Sequence, residues 1–270
     1  MTEIKQVHWQ PTLLIKISAI LHGLILIMLV VKPSLWQWAV VMFIGNHLVI
    51  ATVGLLPRSN WLGPNWTKLP SASKRRNEVA LTIDDGPEPS VTPQVLDILD
   101  FFNVKATFFC IGNKVVQHPE LCREIISRGH AIENHSHAHK HYFSLLGLSG
   151  FTKEIQTAQE SIFSITGVRP KFFRAPAGLR NPFLEPVLNR LDLRLASWTV
   201  RGFDTQVKDA EKVKNKLLCR LQAGVILLLH DGNAARTKAG VPVILAVLPP
   251  LLEAAKQEKL HFVTLRQALQ

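Results

Sequence analysis

The chain has 270 residues, a formal net charge of +11 and 47% hydrophobic residues, enough for one large α/β domain of about 200 residues and an additional segment. The charge is unevenly placed: Lys5, Lys16, Lys32, Arg58, Lys68, Lys74, Arg75 and Arg76 face the single acid Glu3 across residues 1–76. A nucleic-acid-binding domain would concentrate its cations on its own folded surface, so this distribution excludes nucleic acid as the expected partner.

Two apolar stretches come first, residues 13–31 and 36–56, with Lys16 the only formal charge in either. Nineteen helical residues span roughly 28 Å, close to the hydrocarbon thickness of a bilayer. Trp36 and Trp38 before the second stretch, and Trp61 and Trp66 beyond it, suit an interfacial aromatic belt. Asn46 and His47 lie mid-segment and are costly in lipid unless they face the partner helix. A buried helical hairpin, or an uncleaved signal sequence for the first stretch, is the alternative. Read as spans, residues 1–56 form a two-helix anchor whose connecting turn, Lys32-Pro33-Ser34, lies on one side, with the tail and the rest of the chain on the other. The positive-inside rule then predicts a multi-pass protein of the inner membrane with its main domain facing the cytoplasm. Cys110, Cys122 and Cys219 form no CxxC pair, so neither a disulfide framework nor a thiolate metal site is indicated.

Residues 57–77, rich in Pro, Ser, Asn and basic residues, read as a linker to a domain over 78–270. Seven strand-like runs follow, at 79–83, 106–111, 130–134, 171–174, 194–200, 225–229 and 261–265, alternating with helical patterns at 92–103, 119–128, 150–166, 181–191, 209–222 and 241–259. That alternation predicts a parallel sheet with crossover helices, and seven units favour a barrel. Pro249-Pro250 is expected to break or kink the last helix.

The chemistry-bearing residues cluster at the strand ends, where a parallel barrel assembles its site: Asp84-Asp85, His135, Arg174, Asp204 and His230. His135 and His139 converge if the backbone turns helically after the strand. With Asp85 they make a two-histidine, one-carboxylate set suited to Zn²⁺ or another divalent first-row metal. His137 and His141 are solvent-facing, or one of them replaces His139. Asp85-Gly86-Pro87 also reads as a plain turn with an Asx cap. Against that, a hydrolase needs a second carboxylate to accept the proton of the attacking water, with Arg174 to orient it and keep it ionised. His230, partnered by Asp204, supplies an acid for the leaving amine, and Leu228 points to the same face and walls a small acyl pocket.

Over residues 77–268 the set Thr82-Ile83-Asp84-Asp85-Gly86, His135-Ser136-His137-Ala138-His139, Arg174-Ala175-Pro176, Trp198 through Asp204 and Leu228-Leu229-His230 resembles the polysaccharide deacetylase (NodB-homology, carbohydrate esterase 4) family. The resemblance implies a distorted (β/α)7 barrel, Asp84 as general base, Asp85, His135 and His139 as metal ligands, and Arg174 as partner of the base. It also implies the Ala177 N–H as an oxyanion donor, His230 as general acid, and Asp204 as tuner of that histidine. Members acting on chitin-like or peptidoglycan chains often carry a tyrosine at the place of Ala177 and a tryptophan at that of Thr205, so a long exposed polymer is less favoured here. Arg180, Arg201 and Arg236 are expected in loops near the mouth, where they could pair with a phosphate.

The whole reads as a membrane-anchored, Zn²⁺-dependent hydrolase removing N-acetyl or N-formyl from an amino sugar of a membrane-proximal glycan or lipid-linked precursor. The alternatives are an envelope-polysaccharide O-acetyl esterase and a non-catalytic glycan-binding module.

Overall fold

A computed structural model describes residues 9–270; residues 1–8, with Glu3 and Lys5 of the charge argument, lie outside the described residues. The chain opens with two antiparallel helices, α1 (Leu13–Val31) and α2 (Trp36–Gly54). Both are long and apolar enough to cross a membrane, and their apolar side chains, such as Leu24, Val30, Val41 and Leu48, stand mostly uncovered. Of the mid-segment polar residues, Asn46 faces the partner helix, its Nδ2 donating to Ser18 Oγ at 2.9 Å, while His47 is exposed, its ring meeting that of His22 edge-on at 5.3 Å. Thr12, which caps α1, donates to the carbonyl of Trp61 at 2.7 Å, so the start of α1 and the end of α2 meet on the side of the main domain.

The second apolar run is helical only to Gly54, not to residue 56. There the chain runs against the domain: the Gly54 carbonyl accepts from the Arg180 N–H at 3.1 Å, and a Cβ at Gly54 would lie 2.3 Å from the Arg180 carbonyl oxygen. A glycine is therefore required at this close backbone approach.

The elements that follow are α3 (Ser71–Arg75), β1 (Glu78–Gly86), α4 (Thr92–Phe101), β2 (Thr107–Cys110), α5 (Gly112–Gln117), α6 (Pro119–Ser127), β3 (Ala131–Asn134) and α7 (Leu148–Thr166). After these come β4 (Phe172–Phe173), α8 (Leu184–Arg190), β5 (Arg194–Leu195), β6 (Val200–Arg201), α9 (Ala210–Leu218), β7 (Ile226–His230), α10 (Val243–Gln257) and β8 (His261–Phe262). The strands form one parallel sheet in the order β5-β4-β3-β2-β1-β7-β6, with β8 pairing the start of β1. β1 and β7 are apolar runs buried on both faces, as central parallel strands must be. Val79, Leu81 and Ile83 pack with Leu227 and Leu229 under α4, α9 and α10, forming the main core.

The sheet curls into a half-barrel left open between β5 and β6, in keeping with the distorted (β/α)7 barrel expected from the sequence. The run expected as one strand over 194–200 is divided: Leu195 pairs with β4, Val200 with β7, and residues 196–199 leave the ladder between them. Trp66 fills this opening, donating its N–H to the Leu195 carbonyl and accepting from the Ser197 N–H, each at 2.9 Å. Residues 57–70, expected as a linker, thus pack along the open edge, with Leu62 and Leu69 buried. The sequence reading also passed over α3 and α5. The last helix runs unbroken through Pro249 and Pro250, because its opposite face, from Val243 to Ala255, is buried in the core and outweighs two missing backbone bonds on the side where Pro250 is exposed.

Candidate metal centre and catalytic pocket

A cavity of about 320 Å³ opens at the carboxyl ends of the strands. Asp84, Asp85, His135, His139, Ala177, Leu228 and His230 all line it, so seven of the nine site residues expected from the sequence share one mouth. The other two, Arg174 and Asp204, are buried behind Asp84 and His230.

Asp84 and Asp85 lie near the end of β1, with Asp84 in register with His230 on β7. Asp85 sits in the left-handed region (φ 71°), so the consecutive carboxylates project differently despite their adjacency. Asp84 Oδ1 accepts from Arg174 Nη1 at 2.6 Å. Arg174 is held in turn by the Ala196 carbonyl at 3.1 Å, the Ser197 carbonyl at 2.7 Å and Thr82 Oγ1 at 2.8 Å, with its guanidinium 4.1 Å from the Phe109 ring centroid. The two carbonyls belong to the segment where the sheet opens. The gap in the ladder is therefore what supplies acceptors for this fully buried cation.

His135 follows β3, and its Nδ1 shares a 2.9 Å hydrogen bond with the Arg174 carbonyl, which leaves Nε2 facing the pocket. His139 reaches the same point without the helical turn expected from the spacing. Ser136 (φ 62°) and His139 (φ 48°) are left-handed, and the loop is pinned by Asn134 Oδ1, which accepts from the Ser136 N–H at 2.9 Å. Ser136 Oγ accepts from the His139 N–H at 3.1 Å, and Glu154 accepts from the Ala138 N–H at 2.9 Å.

The two Nε2 atoms each lie 3.2 Å from Asp85 Oδ1, a buried oxygen with no hydrogen-bond partner. An orphaned carboxylate oxygen between two imidazole nitrogens fits a divalent cation, and the two-histidine, one-carboxylate donor set is that of a three-ligand site with open positions. Burial pushes the Asp85 carboxyl up, but the close approach of the His135 imidazole, aided by His230 and His139, holds it well below the usual range. Burial and the neighbouring His135 lower His139, which keeps that imidazole in its ligating form. His141 lines the pocket at its exposed rim, whereas His137 is turned into the protein with Nδ1 buried.

On the far flank, Asp204 is fixed at two points: it accepts from the His230 N–H at 2.7 Å and lies 2.9 Å from His230 Nδ1. Burial opposes a charge on His230, but the hydrogen bond and charge of Asp204, with Asp84 and Asp85 adding, raise its pKa.

Several residues that shape the site carried no readable signal in the sequence. Asn233 donates to Asp85 Oδ2 at 3.2 Å. Asp231, its carboxyl pushed up to about 6 by burial, accepts from Thr92 Oγ1 at 2.5 Å and anchors the turn after His230. At Gly232 an added Cβ would lie 2.1 Å from the Asp85 carbonyl oxygen, so Gly232→Ala is expected to displace the Asp85 backbone and weaken divalent-metal affinity about ten-fold or more. Metal titration of the folded variant checks this. Of the three arginines expected at the mouth, only Arg201 lines it. Arg180 is buried, where it donates to the Ser59 carbonyl, and Arg236 donates to the Gly240 carbonyl on an exposed loop.

A curled parallel sheet with an aspartate and two histidines converging at its carboxyl end, flanked by a second aspartate and a histidine, makes an α/β half-barrel with a candidate three-residue metal site over its strand ends. The polysaccharide deacetylase sequence profile matches residues 71–196. The chain is 34% identical over 204 residues to the peptidoglycan-N-acetylglucosamine deacetylase PgdA of Listeria monocytogenes, covering 75% of this chain and 41% of that protein. It is 35% identical over 161 residues to a chitooligosaccharide deacetylase of Azorhizobium caulinodans, covering 59% of this chain and 76% of that one. Among solved structures, a peptidoglycan N-acetylglucosamine deacetylase in complex with 4-naphthalen-1-yl-N-oxidanyl-benzamide superposes with a TM-score of 0.68 at 26% identity, covering 76% of this chain and 92% of that one. The chain belongs to the polysaccharide deacetylase family. It spans about two fifths of the length of the Listeria relative.

Proposed function

We propose that this chain is a metal-dependent hydrolase that removes an N-acetyl or N-formyl group from an amino sugar of a membrane-proximal glycan or glycolipid. The observation that carries the reading is the convergence of Asp85, His135 and His139 on one point, with Asp84 and His230 on either side of the same cavity. Asp85, His135 and His139 would hold a divalent ion, with a donor set that suits Zn²⁺, and that ion would supply Lewis acidity toward the acyl carbonyl and acidify bound water.

The remaining steps belong to the protein. Arg174 occupies Asp84 Oδ1, so Oδ2, on the His135 side, is the oxygen left to take the proton of the attacking water. The N–H of Ala177, a left-handed residue on the pocket wall, would donate to the developing oxyanion. Leu228 closes the acyl side. His230 has Nδ1 committed to Asp204 and presents Nε2 to the leaving amine.

Only the imidazolium can donate that proton, and the folded environment raises its pKa. Turnover is therefore expected to be lost as pH rises through a value above that of an ordinary histidine. Asp204→Asn removes the main support and moves the alkaline limb of the kcat profile to lower pH. An alkaline limb that stays in place in this variant would remove His230 from the acid role.

Two apolar helices precede the domain, the second ending at Gly54 against Arg180, two residues from Gly178 of the pocket wall, and Ala177 and Thr205 leave the pocket without two aromatic platforms that suit long exposed chains. These features support a substrate held near a bilayer, with the domain on the cytoplasmic face of the inner membrane by the charge bias. A compartment-dependent reporter fused after Gln270 tests the sidedness; a signal from the outer side would overturn it and favour an envelope polysaccharide. For the activity, envelope glycolipids and polysaccharides are compared by mass with and without the gene. A species that stays one acetyl or formyl group heavier on nitrogen in its absence is the expected result. The same gain on oxygen would mark an O-acetyl esterase, and no change would mark a binding module.

A further inference from the structure

Beside the catalytic cavity lies a second groove of about 540 Å³ that shares Trp198 and Arg201 with it. Four cations line this groove, Arg58, Arg201, Lys216 and Arg220, and no acidic side chain does. They come from three separate places: Arg58 just past the end of α2, Arg201 on β6, and Lys216 and Arg220 four residues apart at the end of α9. Among the described residues none of the four has a carboxylate oxygen within 4.0 Å.

Their positions are fixed by other contacts. Arg58 Nη1 donates to the Thr199 carbonyl at 3.0 Å, Lys216 Nζ lies 4.0 Å from the centroid of Phe203, and the Arg201 guanidinium sits 5.5 Å from the Trp198 ring and 5.1 Å from that of Phe203. Arg201 also keeps a buried Nε without a partner. Four cations without a carboxylate partner, two of them against aromatic rings, beside a small catalytic cavity repel one another and leave donors unmet, an arrangement that a phosphate dianion or diester satisfies. Arg201 lines both the groove and the catalytic cavity and pairs in register with Leu228 on the acyl wall, so an anion held by Arg201 would adjoin the catalytic cavity.

Resting on the deacetylase reading, we propose that this groove binds a phosphate esterified to the amino-sugar substrate, so that the enzyme acts on a glycosyl phosphate rather than on a neutral sugar chain.

The test uses the full chain in zwitterionic vesicles with its metal supplied. N-acetylglucosamine joined to a short alkyl chain through a phosphodiester is compared with the neutral alkyl glycoside and with free N-acetylglucosamine 1-phosphate. A preference in kcat/KM of about ten-fold or more for the phosphodiester over the glycoside is expected. The Lys216→Ala/Arg220→Ala double variant should remove most of that preference, and Lys256→Ala, on α10, should keep it. Equal use of the free sugar phosphate would identify a soluble substrate, and preference for the alkyl ester a lipid-borne one.

Calorimetric binding of the same three compounds needs no turnover. Tighter binding of the phosphorylated sugars, lost in the double variant but without hydrolysis of any, would uphold the groove and reject the deacetylase reading. Equal binding of phosphorylated and neutral sugars overturns the proposal. So does a double variant that loses affinity only for vesicles of anionic lipid.

Discussion

Asp84→Asn is expected to lower kcat by about 10³-fold while the chain still binds its divalent metal. The substitution keeps the shape of the side chain and its contact with Arg174, but it removes the one oxygen that no neighbour occupies and that can receive a proton. Oδ1 accepts from Arg174 at 2.6 Å, and Oδ2 is 3.8 Å from His135 Nε2. Asp85, not Asp84, carries the orphaned oxygen between the two histidines, so metal content should not follow activity. Parallel measurement of turnover and bound metal separates the two aspartates. Lost metal in Asp84→Asn would make Asp84 a ligand, and retained turnover would remove it from catalysis.

The second large effect is expected at Arg174, whose side chain is fully buried and meets four acceptors: Asp84, Thr82 and the Ala196 and Ser197 carbonyls. Arg174→Met fills similar volume but leaves Asp84 as an unpaired buried charge, at a cost of about 3–5 kcal/mol for a broken buried pair. Burial drives the guanidinium pKa down, and the charge and hydrogen bond of Asp84 oppose that, so the two groups depend on each other. Arg174→Lys keeps the charge but offers a single ammonium in place of a planar fork, and it should recover only part of the loss.

Adding Asp84→Asn to Arg174→Met should restore much of the stability, because the uncompensated carboxylate is gone, while activity stays absent. Thermal unfolding of the single and double variants reads this coupling. A double variant no more stable than Arg174→Met would mean that the pair contributes little to folding.

The sequence made the site more legible than the fold around it. Asp84, Asp85, His135 and His230 could be placed because they close strand-like runs, and parallel strands deliver their carboxyl ends to one mouth. Periodicity could not show that residues 194–200 serve two strands. Each half is apolar enough to continue the other, and only the long-range bridge from Trp66 explains the break. The same limit hid the packing of residues 57–70, whose Pro, Ser and Asn content reads as loop chemistry whether the loop is solvated or pressed against a sheet edge.

His139 shows a related case. The four-residue spacing suggested a helical turn, yet the rings meet through two left-handed residues fixed by Asn134 and Ser136. Asn233, Asp231 and Gly232 act through tertiary contacts with Asp85 and Thr92, and nothing local in their sequence marks that role. Arg180 fails as a mouth residue for a similar reason: its hydrogen bonds run to the chain just beyond α2, which only the folded arrangement brings beside it.

The central claim is that Asp85, His135 and His139 close around one divalent ion. An anomalous-difference map from crystals of the full chain grown with Zn²⁺ tests it most directly. The account predicts one strong peak among Asp85 Oδ1, His135 Nε2 and His139 Nε2, absent when His135 and His139 are both replaced by alanine. A saturated crystal with no peak there, or with its ion held by other residues, would contradict it.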